Sequence, residues 1–166
     1  MSKPKVVLYN PRAVFYTMPL AVMAIASALD RDNIDVVIVD GRLENDPVAA
    51  VIAAARSAVC VGVTVLTGAP IHDALAVSRA IKSTYPTMPI VWGGWHPSLF
   101  PAECLDEAGV TAAVTGQGED TFRELVARFE DGRSLDGVRG CAHRRAHSTA
   151  TIEPKEPLWR FDEGCN

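Results

Sequence analysis

The segment VWGGWHPSLFP (residues 91–101) places two glycines, a tryptophan and a histidine directly after a short apolar run. Gly93 and Gly94 have no side chains, so a ligand or a neighbouring helix can approach the backbone there. His96 could ligate a metal, transfer protons or be an ordinary loop histidine, and a single histidine before a proline is most often the last. We therefore expect a binding loop in which the glycines matter more than His96.

A second candidate loop, NPRAVFYTMP, follows the first apolar run of the chain. Its roughly nine residues are many for a connection between a strand and a helix. It contains a cation and two aromatic rings, and its candidate binding residues are Asn10, Pro11, Arg12, Phe15 and Tyr16. Two interpretations stay open, because Phe15 and Tyr16 could either line a site or simply cover the core.

Two further loops contain small or polar residues after an apolar run. In TVLTGAP, the period-two alternation of a strand places Thr64 and Leu66 on one side of the sheet. In TGQGEDTFREL, two glycines precede a helix, but Thr121 replaces the last glycine of a dinucleotide-binding GxGxxG. The acidic first turn of that helix would also repel a phosphate. A weaker reading makes His96 and Glu119 an acid–base pair on adjacent strand ends.

Motifs of several enzyme classes are missing from the sequence. It contains no GxxxxGK[ST] phosphate loop, no GxSxG nucleophile elbow and no acidic residues where a receiver domain needs them. No two of its four cysteines lie within four residues of each other, so no local zinc or iron–sulfur site is indicated. We therefore assign no catalytic residue and no metal ligand.

Composition indicates a globular protein without a general affinity for nucleic acid. Sixteen basic against twenty acidic residues give a net charge of −4. No apolar run reaches the roughly 18–20 residues that span a bilayer. The first residues do not have the pattern of a signal peptide, so we expect a cytoplasmic protein.

The elements that must position these loops alternate between two types. Short, nearly continuous Val/Ile-rich runs predict strands covered on both faces, at residues 5–10, 35–40, 58–66, 89–94 and 111–116. Segments with helical spacing separate them, at residues 19–30, 47–57, 70–85, 101–108 and 118–129. Five such units predict an α/β, flavodoxin-like (Rossmann-like) three-layer sandwich with a parallel sheet ordered 2-1-3-4-5.

The chain divides into three predicted parts. Residues 1–135 form the α/β domain, residues 136–153 a β-hairpin, and residues 154–166 a proline-broken linker. In an open α/β sheet, ligands bind beyond the carboxyl ends of the strands. The four candidate loops named above therefore belong to one predicted site. The loop after the second strand, residues 41–45, has a weaker claim because that strand is an outer one.

The four motifs VVLYNPRAVFYTMPLAVMAIASAL, GVTVLTGAPI, VWGGWHPSLFP and GQGEDTFREL together resemble the N-terminal cobalamin (B12)-binding domain of cobalamin-dependent radical-SAM proteins. This group includes anaerobic Mg-protoporphyrin cyclase-like enzymes and radical-SAM methyltransferases. The resemblance covers about residues 4–160. In it, Thr64-Val65-Leu66 is similar to the SxL motif of cobalamin domains and Gly93-Gly94 to their GG motif.

The resemblance implies a cobalamin on the carboxyl edge, its dimethylbenzimidazole tail in a slot beside the sheet. The cofactor-binding residues it implies are Asn10, Pro11, Arg12, Phe15, Tyr16, Thr64, Val65, Leu66, Thr67, Gly68, Gly93, Gly94, Trp95, His96, Pro97, Gly116, Gln117, Gly118 and Glu119. Arg12 stands where DxHxxG has its cobalt-ligating histidine, and a cationic arginine cannot ligate. No protein histidine is therefore expected below the cobalt.

A second departure concerns the catalytic partner. The chain has no CxxxCxxC, so we expect neither a [4Fe–4S] cluster nor a SAM site within it. The radical-SAM domain would be supplied in cis, by a longer protein, or in trans, and a homo-oligomer is a further expectation. The alternative is an interaction domain of the same fold with a vestigial pocket.

Overall fold

The five Val/Ile-rich runs form the parallel part of one twisted sheet. In the computed structural model, which describes residues 3–12, 18–107, 109–144 and 150–154, these strands are β1 (Lys5–Asn10), β2 (Asp35–Asp40), β3 (Ala58–Thr64), β4 (Ile90–Gly93) and β5 (Ala112–Val114). Their order is β2-β1-β3-β4-β5. The predicted order 2-1-3-4-5 and the α/β class are confirmed.

Two antiparallel strands continue the sheet beyond β5. The strand β6 (Cys141–Arg144) pairs with β5, and β7 (Ala150–Ile152) pairs with β6, so the described residues form a sheet of seven strands rather than five. The turn of this hairpin and the residues after Pro154 lie outside the described residues. The same holds for Phe15 and Tyr16.

Helices cover both faces of the sheet. On one face, α2 (Pro47–Ala55) and α3 (Ala69–Thr84) pack on the strands, and α5 (Pro101–Asp106) lies at the edge of the same core. On the other face, α1 (Leu20–Ala28) and α6 (Glu119–Glu130) pack side by side. Asp46 accepts a hydrogen bond of 3.0 Å from the Ala49 amide and so caps the start of α2, as its position before Pro47 predicts.

One element differs from the predicted loop at residues 95–101. Trp95–Leu99 forms a short helix, α4. Gly94, with φ of +96°, reverses the chain after β4, and the Ser98 hydroxyl donates to the Gly94 carbonyl at 2.7 Å. Pro97 is tolerated because it lies in the first turn, where its missing N–H has no helical partner. Within the described part of the chain, no helix has the length and apolarity needed to cross a bilayer.

Candidate functional site

A cavity of about 180 Å³ lies between α1, α6 and the carboxyl half of the sheet. Its walls are almost entirely apolar or glycine backbone, and of its described lining residues only Glu119 is ionisable. The lining consists of Leu8, Ala21, Val22, Ala24, Ile25, Gly62, Val63, Thr64, Val91, Gly93, Gly94, Val114, Gly116, Gln117, Gly118, Glu119 and Phe122. Such a slot suits a flat apolar group.

Two strand glycines shape the cavity differently. A Cβ atom on Gly62 would lie 2.9 Å from Leu8 Cδ2 and from the Phe122 ring, so these side chains already fill the space above Gly62. A Cβ atom on Gly93 would meet nothing closer than Val114 Cβ at 3.8 Å. The missing side chain of Gly93 therefore leaves open volume, whereas that of Gly62 allows close packing.

The rim of the cavity is built by the close approach of the β4–α4 turn to the end of β3. A Cβ atom on Gly94 would lie 2.9 Å from Thr64 Oγ1 and 3.1 Å from the Val65 amide nitrogen. The Val65 amide donates to the Gly93 carbonyl at 2.7 Å, and the His96 amide donates to the Val65 carbonyl at 2.9 Å. These contacts require glycine at Gly94 and fix Thr64 beside it.

The loop between β5 and α6, residues 116–118, closes the cavity from the β5 side. Gly116 has φ of +67°, and the space where its Cβ would lie is open. Its amide donates to the Ser98 hydroxyl at 2.9 Å, which joins this loop to α4. A Cβ on Gly118 would lie 3.1 Å from Ile25 Cδ1, so glycine lets α1 approach the start of α6.

The structure therefore brings seven of the predicted site residues to one cavity. They are Thr64, Gly93, Gly94, Gly116, Gln117, Gly118 and Glu119. The other predicted residues that the structure describes lie along the same edge but outside the cavity lining. Val65 and Pro97 are buried, whereas Leu66, Thr67, Gly68 and Trp95 are exposed beyond the strand ends.

His96 takes part in edge packing rather than in the cavity. Its Nδ1 lies 3.3 Å from Thr67 Oγ1, and its ring is 5.3 Å from that of Phe100. Glu119 lines the cavity, and His96 does not. The acid–base pair of these two residues therefore finds no support in the cavity.

Arg12, Asn10 and their neighbours belong to a polar network at the ends of β1 and β2. The Arg12 guanidinium donates to three carbonyl oxygens of the loop after β2. They belong to Gly41, at 3.0 Å, Glu44, at 2.8 Å, and Asn45, at 3.2 Å. The Asn10 side-chain Nδ2 donates to Asp40 Oδ1 at 3.1 Å. The loop after β2, which the sequence ranked lowest, is thereby attached to the first loop.

Asp40 is the most strongly perturbed carboxyl group of this region. Its hydrogen bonds with Arg42, at 2.9 and 2.5 Å, lower its pKa to about 2 against the opposing effect of burial. It stays ionised at neutral pH, where it orients both Arg42 and Asn10.

Several lining residues were missed by the sequence analysis. Gly62 interrupts the run AVCVGVT, and a glycine inside a strand marks a close approach, so its signal was present in the sequence. Ala24, Ile25 and Phe122 gave no such signal, because they reach the cavity only when α1 and α6 pack together.

The described cysteines do not contribute to the cavity. Cys60, Cys104 and Cys141 are buried free thiols. Burial raises the pKa of Cys60 to about 12, so its thiol is unreactive at neutral pH. No three potential metal ligands cluster within the described ranges.

Comparison with known proteins identifies relatives of this chain. A family model described as "B12 binding domain" matches residues 7–126. An uncharacterised methyltransferase of Pyrococcus horikoshii is 32% identical over 156 residues, which cover 92% of this chain and 34% of that protein. The chain thus spans about a third of the length of this curated relative.

Solved structures show the same fold. TsrM, a radical S-adenosylmethionine methyltransferase from Kitasatospora setae, superposes with a TM-score of 0.78 at 25% identity, covering 92% of this chain and 30% of TsrM. OxsB, a cobalamin-dependent S-adenosylmethionine radical enzyme, gives a TM-score of 0.81 at 18% identity, covering 94% and 23% respectively. The family model matches well over half of the chain, so the chain belongs to the B12-binding domain family.

Proposed function

We propose that this chain binds cobalamin at the carboxyl edge of its sheet, with the dimethylbenzimidazole tail in the cavity. The observation behind this proposal is the open volume over Gly93, between the sheet and the α1–α6 pair. The tail ends in a flat, mainly apolar bicyclic group, and the walls offer it apolar side chains and bare backbone. The corrin ring would then lie over the strand ends.

The size of the cavity agrees with this assignment. An apolar protein cavity of roughly 150 Å³ accommodates benzene. The cavity here measures about 180 Å³ and is open to the edge, so a ring system with a chain leading outward can enter it. The Thr64 hydroxyl, the Gln117 side chain and the backbone of Gly94 and Gly116 lie where the polar part of the tail would pass.

The remaining edge residues would contact the corrin rather than the tail. Leu66 and Trp95 expose apolar side chains, 45% and 65% accessible, along this edge. Thr67, Gly68, His96 and Pro97 lie beside them, and Asn10, Pro11 and Arg12 begin the first loop. When bound, cobalamin supplies a cobalt that can hold and transfer a methyl group.

The cobalt would receive no protein ligand from the first loop. Arg12 occupies the position at which a ligating histidine would stand, and its guanidinium donates to carbonyl oxygens of the neighbouring loop. A guanidinium has no lone pair available for a metal.

We further propose that the chain serves a radical-SAM methyltransferase domain, in cis or in trans. Two observations support this proposal. The Pyrococcus horikoshii protein and TsrM are both described as methyltransferases, and this chain matches only about a third of the length of each. In such a cytoplasmic enzyme the chain would hold the cofactor, and the catalytic domain would supply the cluster and SAM.

The test compares two ligands and two variants. Gly93→Leu places a side chain in the cavity, whereas Ala76→Leu adds the same side chain on the exposed surface of α3. Hydroxocobalamin and cobinamide, which lacks the nucleotide tail, are titrated into each protein and followed by absorbance and gel filtration.

We expect Gly93→Leu to weaken cobalamin binding by roughly tenfold or more, since about 1.4 kcal/mol of lost tail contacts has that effect. Cobinamide binding should be unchanged, and Ala76→Leu should behave as the wild type. A wild-type protein that elutes free of cobalamin at tens of micromolar would contradict the proposed function. Equal weakening of both ligands would contradict the placement of the tail.

A further inference from the structure

Asp73, on α3, joins three elements at the edge of the sheet, and no sequence motif singled it out. Its Oδ2 atom accepts hydrogen bonds from the Tyr9 hydroxyl at 2.5 Å and from the Arg12 amide at 2.7 Å. Tyr9 is completely buried at the end of β1. One carboxylate oxygen therefore binds both the end of β1, through Tyr9, and the start of the following loop, through Arg12.

The loop after β2 is attached to the same point. A Cβ atom on Gly41 would lie 2.5 Å from the Tyr9 hydroxyl, so this backbone packs directly on the Tyr9–Asp73 pair. The Gly41 amide donates to the Asn10 carbonyl at 2.9 Å, and Arg12 Nε donates to the Gly41 carbonyl at 3.0 Å. Residues 10–12, the described start of the first loop, are thus held by α3 on one side and by the β2–α2 loop on another.

We propose that Asp73 is a positioning residue for cobalamin: by holding the Tyr9 hydroxyl and the Arg12 amide, it sets the position of the loop beneath the corrin. This inference rests on the proposed function. Asp73 contacts the side of the sheet opposite the cavity and does not line it. Its effect on the cofactor therefore passes through the loop at residues 10–12 and leaves the tail slot unchanged.

The chemistry of the pair keeps this contact in place. Burial raises the pKa of Tyr9 far above its usual range, and the Asp73 carboxylate raises it further. The hydroxyl consequently stays protonated at neutral pH and remains a hydrogen-bond donor there. Hydrogen bonds to an ionised acceptor are about twice as strong as neutral ones, so removal of the carboxylate releases both donors.

The test uses three variants of the full chain. Asp73→Ala removes the acceptor, and Asp73→Asn keeps a carbonyl oxygen. Glu107→Gln alters a half-buried acidic residue whose partner is Arg79, six residues further along α3, and so tests whether loss of another contact to this helix has the same effect. Each is examined by thermal unfolding, by amide hydrogen exchange of residues 9–12, and by titration with hydroxocobalamin and cobinamide. Tyr9→Phe, which removes one donor only, replaces Asp73→Ala if the latter does not fold.

We expect Asp73→Ala to accelerate exchange at the Arg12 amide and to weaken the binding of both ligands by on the order of tenfold, which corresponds to about 1.4 kcal/mol of lost contacts with the corrin. Asp73→Asn should restore most of the affinity, and Glu107→Gln should match the wild type. This pattern differs from that of Gly93→Leu, which weakens cobalamin alone. A purely structural role would lower the unfolding temperature without changing the affinity of the folded protein.

Two results would overturn the inference while leaving the proposed function intact. One is wild-type affinity for both ligands in Asp73→Ala. The other is unchanged exchange at residues 9–12. A wild-type chain that binds neither ligand would instead remove the proposed function and this inference with it.

Discussion

The two faces of the sheet are built from the same strands but differ in how completely they are filled. On the face toward α2 and α3, β1 and β4 direct Tyr9 and Trp92 inward, and both are at most 1% exposed. On the face toward α1 and α6, Gly93, the residue next to Trp92, leaves a cavity. Successive residues of a strand point to opposite faces, so neighbours in sequence serve a filled core and an open slot.

Polar atoms are distributed with the same asymmetry. The Trp92 indole donates to the buried Ser78 hydroxyl at 3.0 Å, and Tyr9 donates to Asp73, so both large side chains bind polar groups of α3. The cavity side has mostly apolar walls. The filled face is therefore held in one arrangement by packing and hydrogen bonds, and the open face keeps volume for a ligand at the expense of packing.

The largest effect is expected at the filled face. Trp92→Ala should lower the free energy of unfolding by about 3–5 kcal/mol, because it creates a large cavity and leaves the Ser78 hydroxyl without its donor. Urea denaturation of the two proteins measures the difference. Val91→Ala, one residue away on the cavity side, should cost less, and equal losses would contradict the asymmetry of the two faces.

A smaller loss of stability is expected for substitution of Gly62, where Leu8 and Phe122 fill the space on the cavity side of the sheet. Gly62→Ala forces a methyl group to within 2.9 Å of Leu8 and Phe122, and such overpacking costs about 1–3 kcal/mol. The same denaturation experiment applies. A variant as stable as the wild type would show that Phe122 can withdraw and that the cavity extends over Gly62.

The polar cluster at the end of β2 should make stability depend on pH. The pKa of Asp40 is about 2 in the folded protein, below its ordinary value of about 4. Its contribution is therefore present above pH 4 and is lost as the pH falls toward 2, by roughly 1–2 kcal/mol. The difference in unfolding free energy between wild type and Asp40→Asn should shrink over this range.

A matched control is available for the pH experiment. Asp120→Asn removes a carboxylate that pairs with Arg123 on the exposed surface of α6. Exposed pairs contribute little, so this variant should follow the wild type at every pH. If it reproduced the behaviour of Asp40→Asn, general charge repulsion rather than the Asp40–Arg42 pair would be responsible.

Much of the fold was predictable because its strands are buried on both faces. The continuous Val/Ile runs predicted both ends of β1 and of β2 correctly. The strand order followed from five successive βα units. Helix α4 was not predictable, because Gly-Trp-His-Pro has the composition of a loop. Its helical conformation depends on Gly94 packing against Thr64 and Val65, a contact between distant segments.

The site was predictable where backbone geometry decides it. The glycines at 93, 94, 116 and 118 stand out in the sequence, and all four line the cavity. The opposite wall was not predictable, since Ala24 and Ile25 lie on a helix whose sequence is apolar on every side. Asp73 was also missed, because an aspartate in a helix has no local pattern that reveals a partner 64 residues earlier.

The smallest effect on stability is expected at Gly93, and it separates the two strand glycines most sharply. Gly93→Ala places a methyl group 3.8 Å from Val114, an ordinary contact, and Gly93 does not have a positive φ. Replacing glycine where alanine fits without strain stabilises a protein by about 0.4–1 kcal/mol, by reducing the freedom of the unfolded chain. We therefore expect urea denaturation to show a change between zero and a small gain, in contrast to the loss for Gly62→Ala. Since a glycine that stability does not require still occupies the centre of the slot, such a result would indicate that its open volume serves a ligand, whereas a clear loss would assign Gly93 to the packing of the sheet.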